Sequence, residues 1–375
     1  MNVVVVLAQP PLLEGGAPGR CAIALLRGLR AHGVEVSAIA ARGQWAFNGS
    51  PPPDLPLEVV DVRPQNGGWR ERAQMLRRPN GYLSRGPFGD RVRELAASAD
   101  VLHLEETHTG WCDLGLSVPS LVHPHHLRRL DARLPPPWRK ELFGASLSRL
   151  ADRLAAVRHR YLVASSPVIA EQLRSLAPRA EIVLAPLSLD PTHYPPAALD
   201  GPPVAGIIGT GTWPPTAASI VRLVSRVWPL VHREVPEATL RVAGRGVADL
   251  GLESGNGVEV VGEVDSAASF IQGLSLLLYP IQRGSGMKVK VLEAIASGVP
   301  VVTTRFGAEG VEGGDGVVIE RSDAELAAAA VSLLRDDVER RERGMAARAT
   351  FLERHAPEVA TAPLVDLYHR MVARG

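Results

Sequence analysis

Gly284-Ser285-Gly286-Met287-Lys288-Val289-Lys290-Val291-Leu292-Glu293-Ala294-Ile295-Ala296-Ser297-Gly298-Val299-Pro300-Val301-Val302 reads as a glycine-rich loop, a short helix, a glycine stop and a buried strand. Gly284 and Gly286 let the backbone approach a ligand and adopt dihedrals that a Cβ forbids. A helix starting near Met287 turns its free N–H groups and the positive end of its dipole toward that loop. Lys288 and Lys290 add mobile positive charge, so the simplest ligand is a phosphate or diphosphate. By helical period, Lys290, Glu293 and Ser297 share one face, while Val289, Leu292, Ile295 and Ala296 are apolar. Glu293 then lies one turn beyond the anion, where an acceptor for ribose hydroxyls is useful. The plainer alternative is a solvated Lys290–Glu293 surface pair on an ordinary helix.

The chain has 375 residues, suited to two domains of roughly 150–200 residues each. Apolar residues make up 46% of it and the net charge is +1, so there is a core to bury and no global charge to attract nucleic acid. Its two cysteines, Cys21 and Cys112, supply no disulfide framework and fit a reducing cytosol. Met1 to Ala8 has no basic leader, and its apolar run is too short to span a membrane. The expectation is a cytoplasmic protein.

Strands and helices alternate, as in parallel sheets covered on both faces. Val3 to Leu7 is a central strand, followed by a Gly15-Gly16 loop and an amphipathic helix from Arg20 to His32. Further strands are expected at 34–40, 59–60, 101–104, 121–122, 161–164 and 182–185. Five prolines between Ser188 and Pro203 suggest a linker over 188–203. It joins a first domain, 1–187, to a second, 204–356. The second set of strands is expected at 204–208, 239–243, 258–261, 274–279, 299–303 and 317–318, with a helix over 217–235 among its connections. The reading is α/β, two Rossmann-like domains facing each other across a cleft, with ligands at the carboxyl ends of the strands.

The second half resembles the bacterial retaining glycosyltransferases of the GT-B fold, family 4. The resemblance rests on Trp213-Pro214-Pro215-Thr216, on Ala243-Gly244-Arg245-Gly246 with Val261-Gly262-Glu263-Val264-Asp265, and on Tyr279 through Val302. Gly307-Ala308-Glu309-Gly310 matches the segment that usually follows. The first half matches loosely, through Gly15-Gly16, Asp100 to Leu104 and the histidines after Leu121.

That resemblance implies amides of Met287, Lys288, Val289 and Lys290 on the diphosphate of a nucleotide sugar, with Arg283, Lys288 and Lys290 near its charge. It implies Glu293 on the ribose and Arg245, Gly262 and Val264 by the nucleotide. Gly15 and Gly16 would cover the phosphates, His125 or else His123 would lie near the donor sugar, and residues 357–375 would cross back to the first domain. Ser285 stands where the family often has a glutamate, so the sugar hydroxyls fall to Ser285 or to loop amides. Thr210 to Thr216 lacks the Arg and Lys that many members place there, which gives Arg283, Lys288 and Lys290 more weight.

The chemistry can be argued from the residues as well. A leaving diphosphate gathers negative charge, and the sequence has no Asp-x-Asp to hold a cation there. A helix N-terminus with Lys and Arg is the alternative. No metal and no cofactor beyond the nucleotide sugar is expected, since His123-Pro124-His125-His126 has no Asp or Cys at metal-ligand spacing. His103 and His108, flanking Glu105-Glu106, could meet the acceptor: a small molecule, a glycan or a lipid-linked intermediate. The stretch 128–160 carries nine basic against three acidic residues, with Trp138 and Phe143 among them. It suits either peripheral contact with the inner membrane face or a solvated helix packed on its domain. Two other functions stay open: a sugar-nucleotide epimerase or catalytically silent paralogue, on account of Ser285, and a nicotinamide oxidoreductase. Against the last, Gly209-Thr210-Gly211 lacks the third glycine and Trp213-Pro214-Pro215 fills the turn.

Overall fold

The computed structural model describes residues 1–43, 49–62, 69–131, 133–136, 138–139, 141–311 and 313–374. The chain forms two compact units: Met1–Ser188 with Pro357–Gly375, and Leu189–Ala356.

In the first unit the β-branched runs become β1 (Asn2–Leu7), β2 (Glu35–Arg42), β3 (Leu57–Asp61), β4 (Val101–Glu105), β5 (Ser120–His123), β6 (Tyr161–Ala164) and β7 (Glu181–Leu184). They form one parallel sheet in the order β3-β2-β1-β4-β5-β6-β7, which reverses between β1 and β4. Alternation along the strands divides their side chains between two apolar layers. Val3, Val5, Val101 and Leu121 join Leu26 and Leu29 of the first helix (Ala17–Ala31) and Leu364, Leu367 and Tyr368 of the last (Pro357–Arg374). Val4, Val6, Leu102, Leu104 and Val122 enter the opposite layer. The same alternation puts His103, Glu105 and His123 on the face of the first and last helices, at the carboxyl edge.

Those two helices meet at Gly28, where a Cβ would come within 2.5 Å of the Pro357 carbonyl oxygen and 2.7 Å of Thr361 Oγ1. Only glycine allows that approach.

The second unit holds β8 (Val204–Ile208), β9 (Thr239–Ala243), β10 (Val258–Gly262), β11 (Leu276–Tyr279), β12 (Val301–Thr303) and β13 (Val317–Ile319). They are parallel in the order β10-β9-β8-β11-β12-β13, reversing between β8 and β11.

The structure departs from the sequence reading at three places. The helix expected over 217–235 is Pro214–Arg222, a π turn at Leu223–Val227, and Trp228–Glu234. Pro229 has no N–H and its ring would strike the carbonyl four residues back, so the turn widens there. The helix expected from Met287 starts at Val289, after an extended Lys288. The proline-rich segment read as a linker belongs to the second unit from Leu189 onward. Leu189, Tyr194 and Leu199 are buried, and Arg340 and Arg348 donate to the carbonyls of Leu199 and Tyr194.

Candidate active site

At the carboxyl edge of β11 the chain runs through the loop that precedes the helix Val289–Ala296. Gly284 and Gly286 have φ of +132° and +72°, values that L side chains rarely adopt. The loop is braced from below by Glu309, which is 3% exposed and accepts from the Gly286 N–H at 2.8 Å. Lys288 Nζ donates to the Gly286 carbonyl at 2.5 Å and lies 3.7 Å from Glu309 Oε2. Lys288 is therefore part of the loop's support, and not the mobile charge expected of it.

Lys290 takes a different direction. Its ammonium stands 4.6 Å from the Tyr279 ring centroid and reaches toward Gly209, where a Cβ would lie 2.9 Å from Lys290 Cε. Arg283 is half-buried on the loop and makes no ion pair among the described residues. Glu293 is 2% exposed and accepts from Tyr194 Oη at 3.0 Å. A solvated Lys290–Glu293 pair is thus excluded: one side chain is buried on Tyr194 and the other lies over Tyr279.

The glycines around β8, β9 and β10 serve backbone contact. A Cβ on Gly244 would fall 2.1 Å from the Gly209 carbonyl oxygen, and one on Gly211 2.3 Å from that of Gly246. Gly209-Thr210-Gly211 is accounted for by loop packing, without a dinucleotide. Gly262 has φ of +78° at a register shift ending β10, Val264 is half-buried beyond it, and Arg245 pairs with Glu263 at 3.1 Å.

In the first unit, four histidines and two carboxylates gather where β4 and β5 end. Glu105 Oε2 is 2.7 Å from His103 Nε2 and 3.3 Å from His123 Nδ1, and Glu105 Oε1 is 2.5 Å from His125 Nε2. Tyr368 Oη lies 2.5 Å from His103 Nδ1. Burial pushes the Glu105 carboxyl up, but the imidazoles of His123, His125 and His103 hold it well below the usual range. Glu106, also opposed by burial, is brought down to about 2 by His108 and His125. Burial would lower His125, and the Glu105 and Glu106 carboxylates more than offset it, so its pKa is raised. His123 is lowered, because burial prevails there.

Asp152 ties the two strand-end loops together, accepting from the Arg128 N–H at 2.7 Å and from Thr107 Oγ1 at 3.2 Å. Gly15 and Gly16 precede the first helix; Gly16 is extended, and Arg20 Nη1 donates to the Gly15 carbonyl.

Family models match most of the chain: one described as glycosyl transferase 4-like domain over residues 16–188, and one described as glycosyl transferases group 1 over residues 202–336. The chain belongs to the group 1, family 4-like glycosyltransferases. This glycosyltransferase has the GT-B arrangement of two Rossmann-like domains and acts on nucleotide sugars. Its fold is similar to sucrose-phosphate synthase from Thermosynechococcus elongatus, at TM-score 0.72 and 15% identity over 100% of both chains. It is similar also to Anabaena HepE in complex with UDP and glucose, at 0.66 and 16% over 98% and 99% of the two chains. A TarM variant from S. aureus, solved with Fondaparinux, alpha-GlcNAc-glycerol and UDP, gives 0.68 and 9% over 98% and 99%. No curated protein matches the glycosyltransferase in sequence. No helix among the described residues is long and apolar enough to cross a membrane.

Within the glycosyltransferase, the second unit brings Arg283, Gly284, Ser285, Gly286, Met287, Lys288, Val289, Lys290 and Glu293 onto one loop and helix start. His125 lies at the carboxyl edge of the first unit's sheet, 7% exposed. Lys140, from the basic stretch, lies outside the described residues. Sequence reasoning missed Tyr194, which stands in the segment read as a linker, and the loop-bracing role of Glu309. It noticed Glu105 only as a flanking acid, although the i, i+2 spacing of His103 and Glu105 on a strand already put both on one face.

Proposed function

We propose that the glycosyltransferase binds the diphosphate of a UDP- or GDP-sugar at the Gly284–Lys290 loop and transfers a hexosyl group with retention. The observation that carries this reading is the buried Glu293, held by Tyr194 one turn into a helix whose start is opened by two positive-φ glycines. Amides at that start, with Lys290 and Arg283, would stabilise charge as it develops on the leaving diphosphate. Lys288 and Glu309 keep the loop in shape. Glu293 would accept from ribose hydroxyls, Arg245, Gly262 and Val264 would line the nucleotide, and Ser285 would meet the sugar. His125, fixed by Glu105, would act at the reacting centre. Gly15 and Gly16 remain candidate phosphate contacts. HepE was solved with UDP and glucose, which makes UDP-glucose the first donor to try.

A thermal-shift panel of UDP-, GDP-, TDP- and ADP-sugars identifies the donor, and product analysis identifies the reaction. Glu293→Ala is expected to weaken donor binding by roughly 1–3 kcal/mol, as for a lost charged acceptor. Parental affinity in that variant would reduce Glu293 to a packing residue. An epimerised donor, or none consumed with any acceptor, would replace transfer with the epimerase or silent reading.

Donor turnover is expected to be independent of magnesium, because protein amides and cations take the place of a hard cation at the diphosphate. Loss of turnover in chelator with recovery on magnesium would overturn this. The acceptor is proposed to be lipid-linked, presented at the 128–160 stretch, where Trp138 is 82% exposed and Phe143 48%. Cosedimentation with anionic but not neutral vesicles tests the contact.

A further inference from the structure

We propose that the first unit carries a divalent transition-metal site formed by His103 Nε2, Glu105 Oε2 and His123 Nδ1, of a kind that suits zinc. The three ligand atoms all lie within 4.8 Å of one another, among buried residues. The strand pairing produces the set. β4 places His103 and Glu105 on one face by alternation, and β5 pairs His123 directly beside Glu105.

Four-coordinate zinc holds nitrogen and oxygen at about 2.0–2.1 Å, which puts neighbouring ligand atoms roughly 3.4 Å apart. His123 Nδ1 and Glu105 Oε2 already stand 3.3 Å apart. His103 Nε2 and Glu105 Oε2, at 2.7 Å, need only open by side-chain rotation.

His123 supplies the independent observation. It is 3% exposed, its Nδ1 has only the 3.3 Å contact with Glu105 Oε2, and its Nε2 has no hydrogen-bond partner. Leaving Nε2 unsatisfied costs about 1–3 kcal/mol, so that edge of the ring is placed for a water beside the metal, which itself would take the Nδ1 edge next to Glu105. A cavity of about 20 Å³, lined by Glu105 and His123 together with Leu25, Pro186 and Leu364, adjoins it. That volume suits one water as a fourth ligand.

The outer partners fit as well. With Nε2 on the metal, His103 carries its proton on Nδ1 and donates it to Tyr368 Oη, which fixes the ring. Glu105 keeps its other oxygen on His125. Binding is coordinate and needs no oxidant or reductant. Two imidazoles and a carboxylate suit zinc, and magnesium or calcium would ask for oxygen throughout. The site would clamp β4 and β5 to the last helix.

The test uses the untagged full chain, stripped with chelator and titrated with zinc against a chromophoric competitor. One equivalent should bind, and the melting temperature should rise with zinc. His123→Leu should weaken binding by about 100-fold or more, and Tyr368→Phe by about tenfold, the scale seen when outer partners are lost. Without metal, His123→Leu removes only the 3.3 Å contact with Glu105, so it should lower the melting temperature less than it lowers that of the zinc-loaded chain. Absence of stoichiometric zinc binding, or parental affinity in His123→Leu, would overturn the site and leave the cavity to water. Neither result bears on donor binding, which is read separately in the second unit.

Discussion

Asp152 illustrates how one buried side chain sets conditions for its surroundings. Burial pushes its pKa up from 3.8 to about 6, and the hydrogen bonds from Arg128 and Thr107 and the charge of Arg128 offset only part of that rise. Between about pH 4 and 6 the folded chain therefore holds a proton at this site that the unfolded chain has released. The contribution to stability is fully present below pH 4 and is lost as pH rises through about 6. The rise corresponds to roughly 3 kcal/mol at most. Asp152→Asn is expected to be more stable than the parent at pH 8, by up to that amount, and to lose the advantage by pH 4. Urea unfolding at the two pH values measures it, and an equal difference at both would sink the argument. The nearby Asp131 raises the Asp152 pKa a little further, so Asp131→Asn should lower it. Glu309 and Lys288 belong to the same scale: the sequence reads Lys288 as mobile charge for a phosphate and Glu309 as part of a family segment, and both are drawn against the glycine loop by contacts that no local pattern encodes.

Elements were legible where their signal was local. The apolar runs from Val3–Leu7 to Val317-Val318 all became strands; the central ones are fully buried and announce themselves by continuous apolar character, and the edge strands are half-buried. The helix carrying Glu293 was readable from its period, and its start was misjudged by two residues because Gly286 and Lys288 hold non-helical dihedrals. What was not legible depends on distant partners. The 189–203 segment looks like a tether because its prolines exclude helix and strand. It packs because Arg340, Arg348 and Glu293 reach it from roughly 100 to 150 residues away. Gly28 is a similar case, an ordinary helix glycine until the last helix arrives. Gly28→Ala improves intrinsic helix propensity by about 1 kcal/mol. The added methyl would nevertheless meet Pro357 and Thr361 at 2.5–2.7 Å, and such overpacking costs typically 1–3 kcal/mol. The expected outcome is net destabilisation, read as a lower urea midpoint. A midpoint at or above the parent's would mean that the two helices separate at no cost.

At the scale of the molecule, the chain is not divided in simple succession. The first unit is left unfinished at Ser188, the second is built from Leu189 to Ala356, and only Pro357–Gly375 completes the first. That final helix is not an appendage. Leu364, Leu367, Tyr368 and Met371 are each 2% exposed or less and share a core with β1, β4 and the first helix. Burying an aliphatic or aromatic side chain of this kind stabilises by about 1.5–3 kcal/mol, so the four together contribute roughly 6–12 kcal/mol. A whole domain is stable by only about 5–15 kcal/mol. A chain ending at Ala356 is therefore expected to lose cooperative folding of the first unit, whereas Leu189–Ala356, which keeps its own core, should fold alone. Two measurements decide it. The 1–356 chain should show only one cooperative unfolding transition, with exposed apolar surface detectable by dye binding, and the 189–356 fragment should melt cooperatively and retain donor binding that depends on Glu293. If 1–356 keeps both transitions, the last helix adds little. If 189–356 is unfolded, the second unit depends on the first for more than its chain connections.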